Sequence, residues 1–296
     1  ALMHLIFNII GTIIFSIIAI VYFTVLNPQA GTGNITQTEI SMVHTFFNIA
    51  TTVMLFPASN LIVKIAKKIG RVDEDANDPG TVLLDERMLQ TPSIALQSAV
   101  KETVRMGEIV RRSIEVAKDV LYTQDQEAID ILKNDESDVD RLCAGITNYT
   151  IKLSSLQISE KEHQEAAHLL QVLSDMERVS DYCENISEFA ETLRDKKASF
   201  SETAKKQLKE MIEETAKSYF YALDAFKEQS HEKALRVIEK ETKVDDLEVK
   251  LRSRHIKRLS NNECNTEAGI VFLDTLVCME RISDHARNIA EEVLEE

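Results

Sequence analysis

Acidic side chains four residues apart are the feature of this chain best suited to chemistry. Glu136 and Asp140, Glu177 and Asp181, Glu241 and Asp245, and Glu280 and Asp284 all stand at i and i+4. On a helix the two carboxylates of each pair share a face. Like charges at that spacing destabilise an isolated helix, so a bound cation or a partner's basic residue is expected to offset them. Ligation by carboxylates alone suits hard or borderline cations such as Mg, Mn or Fe. Acids make up 49 of the 296 residues, so any single pair is what a solvated helix face shows by accident.

Their arrangement is less accidental. ESDVDRL at 136–142 corresponds to ETKVDDL at 241–247, 105 positions later, and MERVSD at 176–181 corresponds to MERISD at 279–284, 103 positions later. The second match continues to Asn185 and Asn288, which puts Glu, Asp and Asn at i, i+4 and i+8 on one face. Two nearly equal offsets imply two copies of one helical unit of about a hundred residues.

Composition makes those units helical. The chain has only 8 Gly and 4 Pro, no Trp, and is rich in side chains that lose little freedom in a helix. Start signals divide residues 91–296 into six helices, at 92–121, 124–154, 160–195, 200–228, 231–259 and 263–294. Thr91-Pro92 opens the first; Thr123/Gln126, Ser159/Glu162 and Ser199/Glu202 have capping-box spacing, and Ser230 and Asn262 open the last two. Copy one is expected at 91–196 and copy two at 197–296, after an acidic, turn-forming linker at 72–90.

Residues 1–71 have a different character. His4 to Leu26 is a run of 23 residues without Asp, Glu, Lys or Arg, long enough at about 1.5 Å per residue to cross about 30 Å of hydrocarbon. A second apolar stretch, 40–65, contains Pro57 and ends in Lys64, Lys67, Lys68 and Arg71. The intervening loop has no basic residue, so the positive-inside rule places it outside and everything after residue 71 in the cytoplasm. Each span opens alike, with His4 and Asn8 in the first and His44 and Asn48 in the second. Such polar side chains in lipid need a neighbouring helix or a polar cavity, which implies packing against a transporter core upstream of this chain. No signal peptide is recognisable, and the chain reads as cut from something longer. The fold class expected is all-α: two transmembrane helices followed by two three-helix bundles.

The paired E/DxxxD repeats resemble those of PhoU-type domains, whose two three-helix bundles bind metal ions through these motifs. That resemblance makes Glu136, Asp140, Glu177 and Asp181, with Glu241, Asp245, Glu280 and Asp284, the expected ligands for Fe, Mn, Mg or Zn. HxxFN spans, a basic cluster, the segment LDERMLQTPSIA at 84–95 and then the repeats are together similar to the tail of the sodium-dependent phosphate cotransporter family (Na/Pi cotransporter II-related), over essentially the whole chain. This implies a multi-pass protein of the bacterial cytoplasmic membrane, with sodium and phosphate as solutes and a cytoplasmic domain that regulates phosphate uptake. That family's Gln-Ser-Ser signatures, used for substrate and sodium, are absent, so this chain alone should not transport.

Other functions are weighed against these residues. A net charge of -15, concentrated after residue 71, repels nucleic acid and attracts cations or a basic regulatory partner. A membrane-anchored scaffold for a signalling protein is the alternative. A carboxylate-bridged metalloenzyme would need Glu-x-x-His on two helices; Glu160/His163 and Glu165/His168 both fall on one. These histidines and His285 are expected to face water. No nucleophile–base pair, phosphate-cradling glycine loop or HExxH motif supports catalysis. Cys143, Cys183, Cys264 and Cys278 lack CxxC spacing and read as reduced thiols.

Overall fold

Long runs of helix formers with apolar residues at three- and four-residue intervals become long helices here. The computed structural model describes residues 2–26, 36–55, 79–261 and 264–295, and no strand occurs among them. The helices are α1 (Leu2–Val21, continued by a π-helical turn, Tyr22–Leu26), α2 (Gln37–Leu55), α3 (Pro92–Thr123), α4 (Gln126–Ser154), α5 (Glu160–Asp195), α6 (Glu202–Glu228), α7 (His231–Ser260) and α8 (Thr266–Glu295). They belong to two compact units, Ala1–Asp78 and Pro79–Glu296.

In the first unit, α1 and α2 form an antiparallel pair. Gly11 lies so close to Thr51 that an added Cβ would meet its Cγ2 at 2.5 Å, and Phe15 packs edge-on against Phe47 at 5.1 Å. Ile13, Ile17, Ile20, Val43, Phe46 and Ile49 are exposed. Among the described residues no helix is long and apolar enough to cross a membrane. The side chains of His4, Asn8 and Asn48 lie outside the described residues, as do Pro57, the basic cluster and residues 72–78; His44 is exposed.

The second unit is two three-helix bundles, α3–α4–α5 and α6–α7–α8, joined along α5 against α8 and α3 against α6. α4 and α7 therefore stand on the outside. Leu132, Val139, Leu142 and Ile146 give α4 its buried stripe, while Leu173, Met176, Val179 and Ile186 do so for α5. The repeat is visible in the backbone: Gln124 and Gln229, 105 positions apart, both end their helices in the left-handed conformation with an N–H to the carbonyl four residues back.

Several helix starts differ from those expected. The Ser159/Glu162 capping box forms, and Ser230 caps α7. Thr91 makes no side-chain cap. Asp125, not Thr123, caps α4, because α3 runs on through Thr123 to the left-handed Gln124. Ser201 replaces Ser199 at α6; Asn262 lies outside the described residues, and Asn265 Oδ1 accepts from Ala268 N at the start of α8.

Residues 79–90, read from the sequence as linker, lie along α3 and α4 as a strap. Arg105 donates to the carbonyls of Pro79 and Thr81 at 2.6 Å each, and buried Glu102 accepts from the Leu83 amide at 3.2 Å. Gly145 lets α4 approach: a Cβ there would stand 2.3 Å from Val82 Cγ2.

Candidate metal centres

The outer helix of each bundle and its third helix bring the acidic repeats together. In copy one, Glu136 and Asp140 of α4 face Asp181 of α5; in copy two, Glu241 and Asp245 of α7 face Asp284 of α8. Within each trio, one carboxylate oxygen per residue lies within 4.8 Å of the others. Glu177 and Glu280 border the trios without joining them, though Glu177 feels the charge of Asp181 and Glu280 that of Asp284.

Crowded carboxylates resist ionisation. Burial and then Asp140 push the Glu136 carboxyl up to about 7. Burial is also the largest effect on Asp181 and Glu177, and both are raised. In copy two, burial and then Glu241 raise Asp245, whose Oδ1 is buried without a hydrogen-bond partner. Part of the repulsion is relieved within the repeat itself. Arg178 reaches Asp181 at 3.0 Å and Glu177 at 3.6 Å; Arg281 reaches Asp284 at 3.3 Å and Glu280 at 3.4 Å.

The two centres are not equivalent. Arg287 of α8 crosses to Glu241 at 2.9 Å, so copy two already holds a cation. The residue 103 positions earlier is Glu184, which instead adds to the acid around Glu136. The acids of copy one thus meet one guanidinium, Arg178, where those of copy two meet two, Arg281 and Arg287. The donor set of copy one fits a hard or borderline cation, which would supply the missing positive charge.

Three sequence readings change. Asn288 does not join the acidic face: it donates to Asp175 at 2.9 Å. His285 is half-buried and not simply in water, since its Nδ1 lies 2.7 Å from the same buried Asp175, across the α5–α8 seam. His168, also expected in water, pairs with Glu292 of α8 near Glu295. These partners lie more than a hundred positions apart, and no local spacing signals them. The cysteines carry no disulfide, and Cys183 and Cys278 are buried.

A model of the "PhoU domain" matches residues 103–190 and 208–293, together more than half of the chain. The chain belongs to the PhoU domain family. The two matched segments fall on the two bundles. Solved PhoU structures share the fold: the regulatory protein of Streptococcus pneumoniae at TM-score 0.62 and 19% identity, over 69% of this chain and 95% of that one, and PhoU of Pseudomonas aeruginosa at TM-score 0.62 and 21%, over 67% and 95%. A PhoU-homologue accessory protein of phosphate-specific transport from Xylella fastidiosa is 28% identical over 67% of this chain and 83% of its own length. "Putative inorganic phosphate export protein YjbB" of Escherichia coli K12 is 24% identical over all of this chain and 54% of its own length. The chain spans about half the length of the YjbB relatives it matches.

Proposed function

We propose that this chain is the regulatory PhoU portion of a phosphate-translocating membrane protein. In this reading α1 and α2 belong to the membrane part, residues after 71 lie in the bacterial cytoplasm, and metal at the acidic trios biases transport. The observation that carries it is continuity: the match to YjbB covers both units of this chain, not only the bundles. An exposed apolar surface on both helices of the first unit is what lipid or a transporter core would cover. Sodium coupling is the finer part of the reading and rests on the HxxFN resemblance. The name of the YjbB relatives favours export, whereas the cotransporter resemblance implied uptake.

A scaffold without transport is the second reading, favoured by accessory-protein relatives that match 67% of this chain. Labelled-phosphate flux separates the two. It would be measured with and without a sodium gradient, in membrane vesicles carrying the chain joined to its transport core. We expect flux that changes severalfold with Glu136→Gln/Asp181→Asn, which also lose bound metal, and less with Glu241→Gln/Asp284→Asn, because Arg287 already serves that site. Absence of flux would leave the scaffold, and flux indifferent to both pairs would remove the acidic trios from its control.

A further inference from the structure

Three helix ends of copy two meet around a cavity of about 210 Å³: the first turns of α6 and α8 and the last turn of α7. None of its lining residues is Asp or Glu, in a chain with 49 acids against 34 Lys and Arg. Two helix N-termini present backbone N–H groups that have no intrahelical partner. Their cap side chains occupy one amide each, Ala204 N to Ser201 Oγ at 3.3 Å and Ala268 N to Asn265 Oδ1 at 3.1 Å. The remaining amides and the positive ends of both helix dipoles suit an anion.

Side chains independent of the helix ends agree. His255 is 2% exposed and its Nδ1 lies 3.0 Å from Arg258 Nη2. A guanidinium can only donate, so Nδ1 accepts and the neutral ring carries its proton on Nε2. Burial and then Arg258 hold this imidazole below its usual pKa, with the Gly269 backbone only partly opposing them. Nε2 of His255 and Nε of Arg258 are both buried without a partner of hydrogen-bond geometry. Buried donors left unmet are costly. Both groups are held in place by one ring: His255 stacks on Phe272 at 4.3 Å and Arg258 lies over it at 5.6 Å. Gly269 lets α8 approach α7 closely, for a Cβ there would meet Leu259 Cδ2 at 2.8 Å and His255 Nε2 at 3.1 Å.

Copy one differs at the two matching positions. The positions 105 residues earlier are Thr150, whose hydroxyl donates to Ile146 O at 2.9 Å, and Leu153, fully buried. Copy two departs from its own repeat to place unmet donors where copy one is satisfied.

We propose that this cavity binds a small tetrahedral oxyanion, with inorganic phosphate as its ligand. The oxyanion chemistry stands on the geometry alone; the choice of phosphate over sulfate rests on the proposed function. Calorimetric titration of the whole chain in detergent, with phosphate or sulfate at ionic strength matched by chloride, tests both. Arg258→Gln removes a charged donor, and Asn265→Asp keeps the helix cap while putting a carboxylate at the cavity. We expect saturable phosphate binding that each variant weakens by at least about tenfold, as loss of a charge-assisted contact implies, with helical content and melting in chloride retained. Sulfate binding as tight as phosphate would overturn the choice of ligand. No saturable binding of either anion up to about 10 mM, a free energy too weak to matter, or binding untouched by Asn265→Asp, would overturn the site. A failed flux experiment would leave this binding result standing, because neither variant lies in the acidic trios.

Discussion

Glu136 loses water on folding and faces Asp140, Glu184 and Asp181, and these effects hold its carboxyl at about 7 against an ordinary 4.5. Between those two values the folded chain keeps a proton that the unfolded chain has released. Stability without metal should therefore fall as pH rises through that window, the reverse of a salt-bridged carboxylate. Asp181, Glu177 and Glu184 are raised as well and act in the same direction. Urea unfolding at several pH values in chelator measures this slope, and Glu136→Gln should flatten it. A slope that is absent, or that rises with pH, would mean the cluster does not crowd its charges as described.

At the scale of elements, the strap and α4 depend on each other. Val82 is β-branched and stiff, so it cannot swing aside from a new methyl group at Gly145 as a longer side chain would. Gly145→Ala gains helix propensity, worth about 1 kcal/mol, yet should lift the strap from α3 and α4. Hydrogen exchange at the Leu83 amide, now held by Glu102, should accelerate, while core amides around Leu142 keep their protection. Unchanged exchange at Leu83 would show that the strap is held by Arg105 and Glu102 without this contact.

Across the whole molecule, the two bundles are joined by charge as well as by apolar packing. Asp175, only 3% exposed, accepts from His285 and Asn288 of the other copy and from Gln171 of its own helix. On the α3–α6 side, Arg111 reaches Asp224 and lies over Phe220 at 5.2 Å. Removing Asp175 strands half-buried donors on α8, which typically costs about 1–3 kcal/mol. Asp175→Ala should lower the urea midpoint accordingly, with the slope of the transition preserved. A loss below about 1 kcal/mol would mean that the Asp175 cluster adds little to the seam beyond its apolar contact.

Much of this was legible before any coordinates. Helix number, the pairing of Glu136 with Asp140 and of Glu241 with Asp245, and the two-copy repeat are local or periodic properties. Backbone propensity and a 3.6-residue period express these within one helix. The caps were partly readable: Ser159 and Ser230 hold, while Asp125 and Ser201 displaced equally plausible neighbours because competing hydrogen-bond acceptors stood a residue or two away. What only the tertiary structure decided concerns side chains that meet across helices. Arg287 turns toward Glu241 and Glu184 toward Glu136, so two similar motifs became unequal sites. Asp175 found His285, and three helix ends enclosed His255 and Arg258. Such meetings depend on the angle and offset at which helices pack, and these follow from every contact along the seam together, not from the spacing of any one motif.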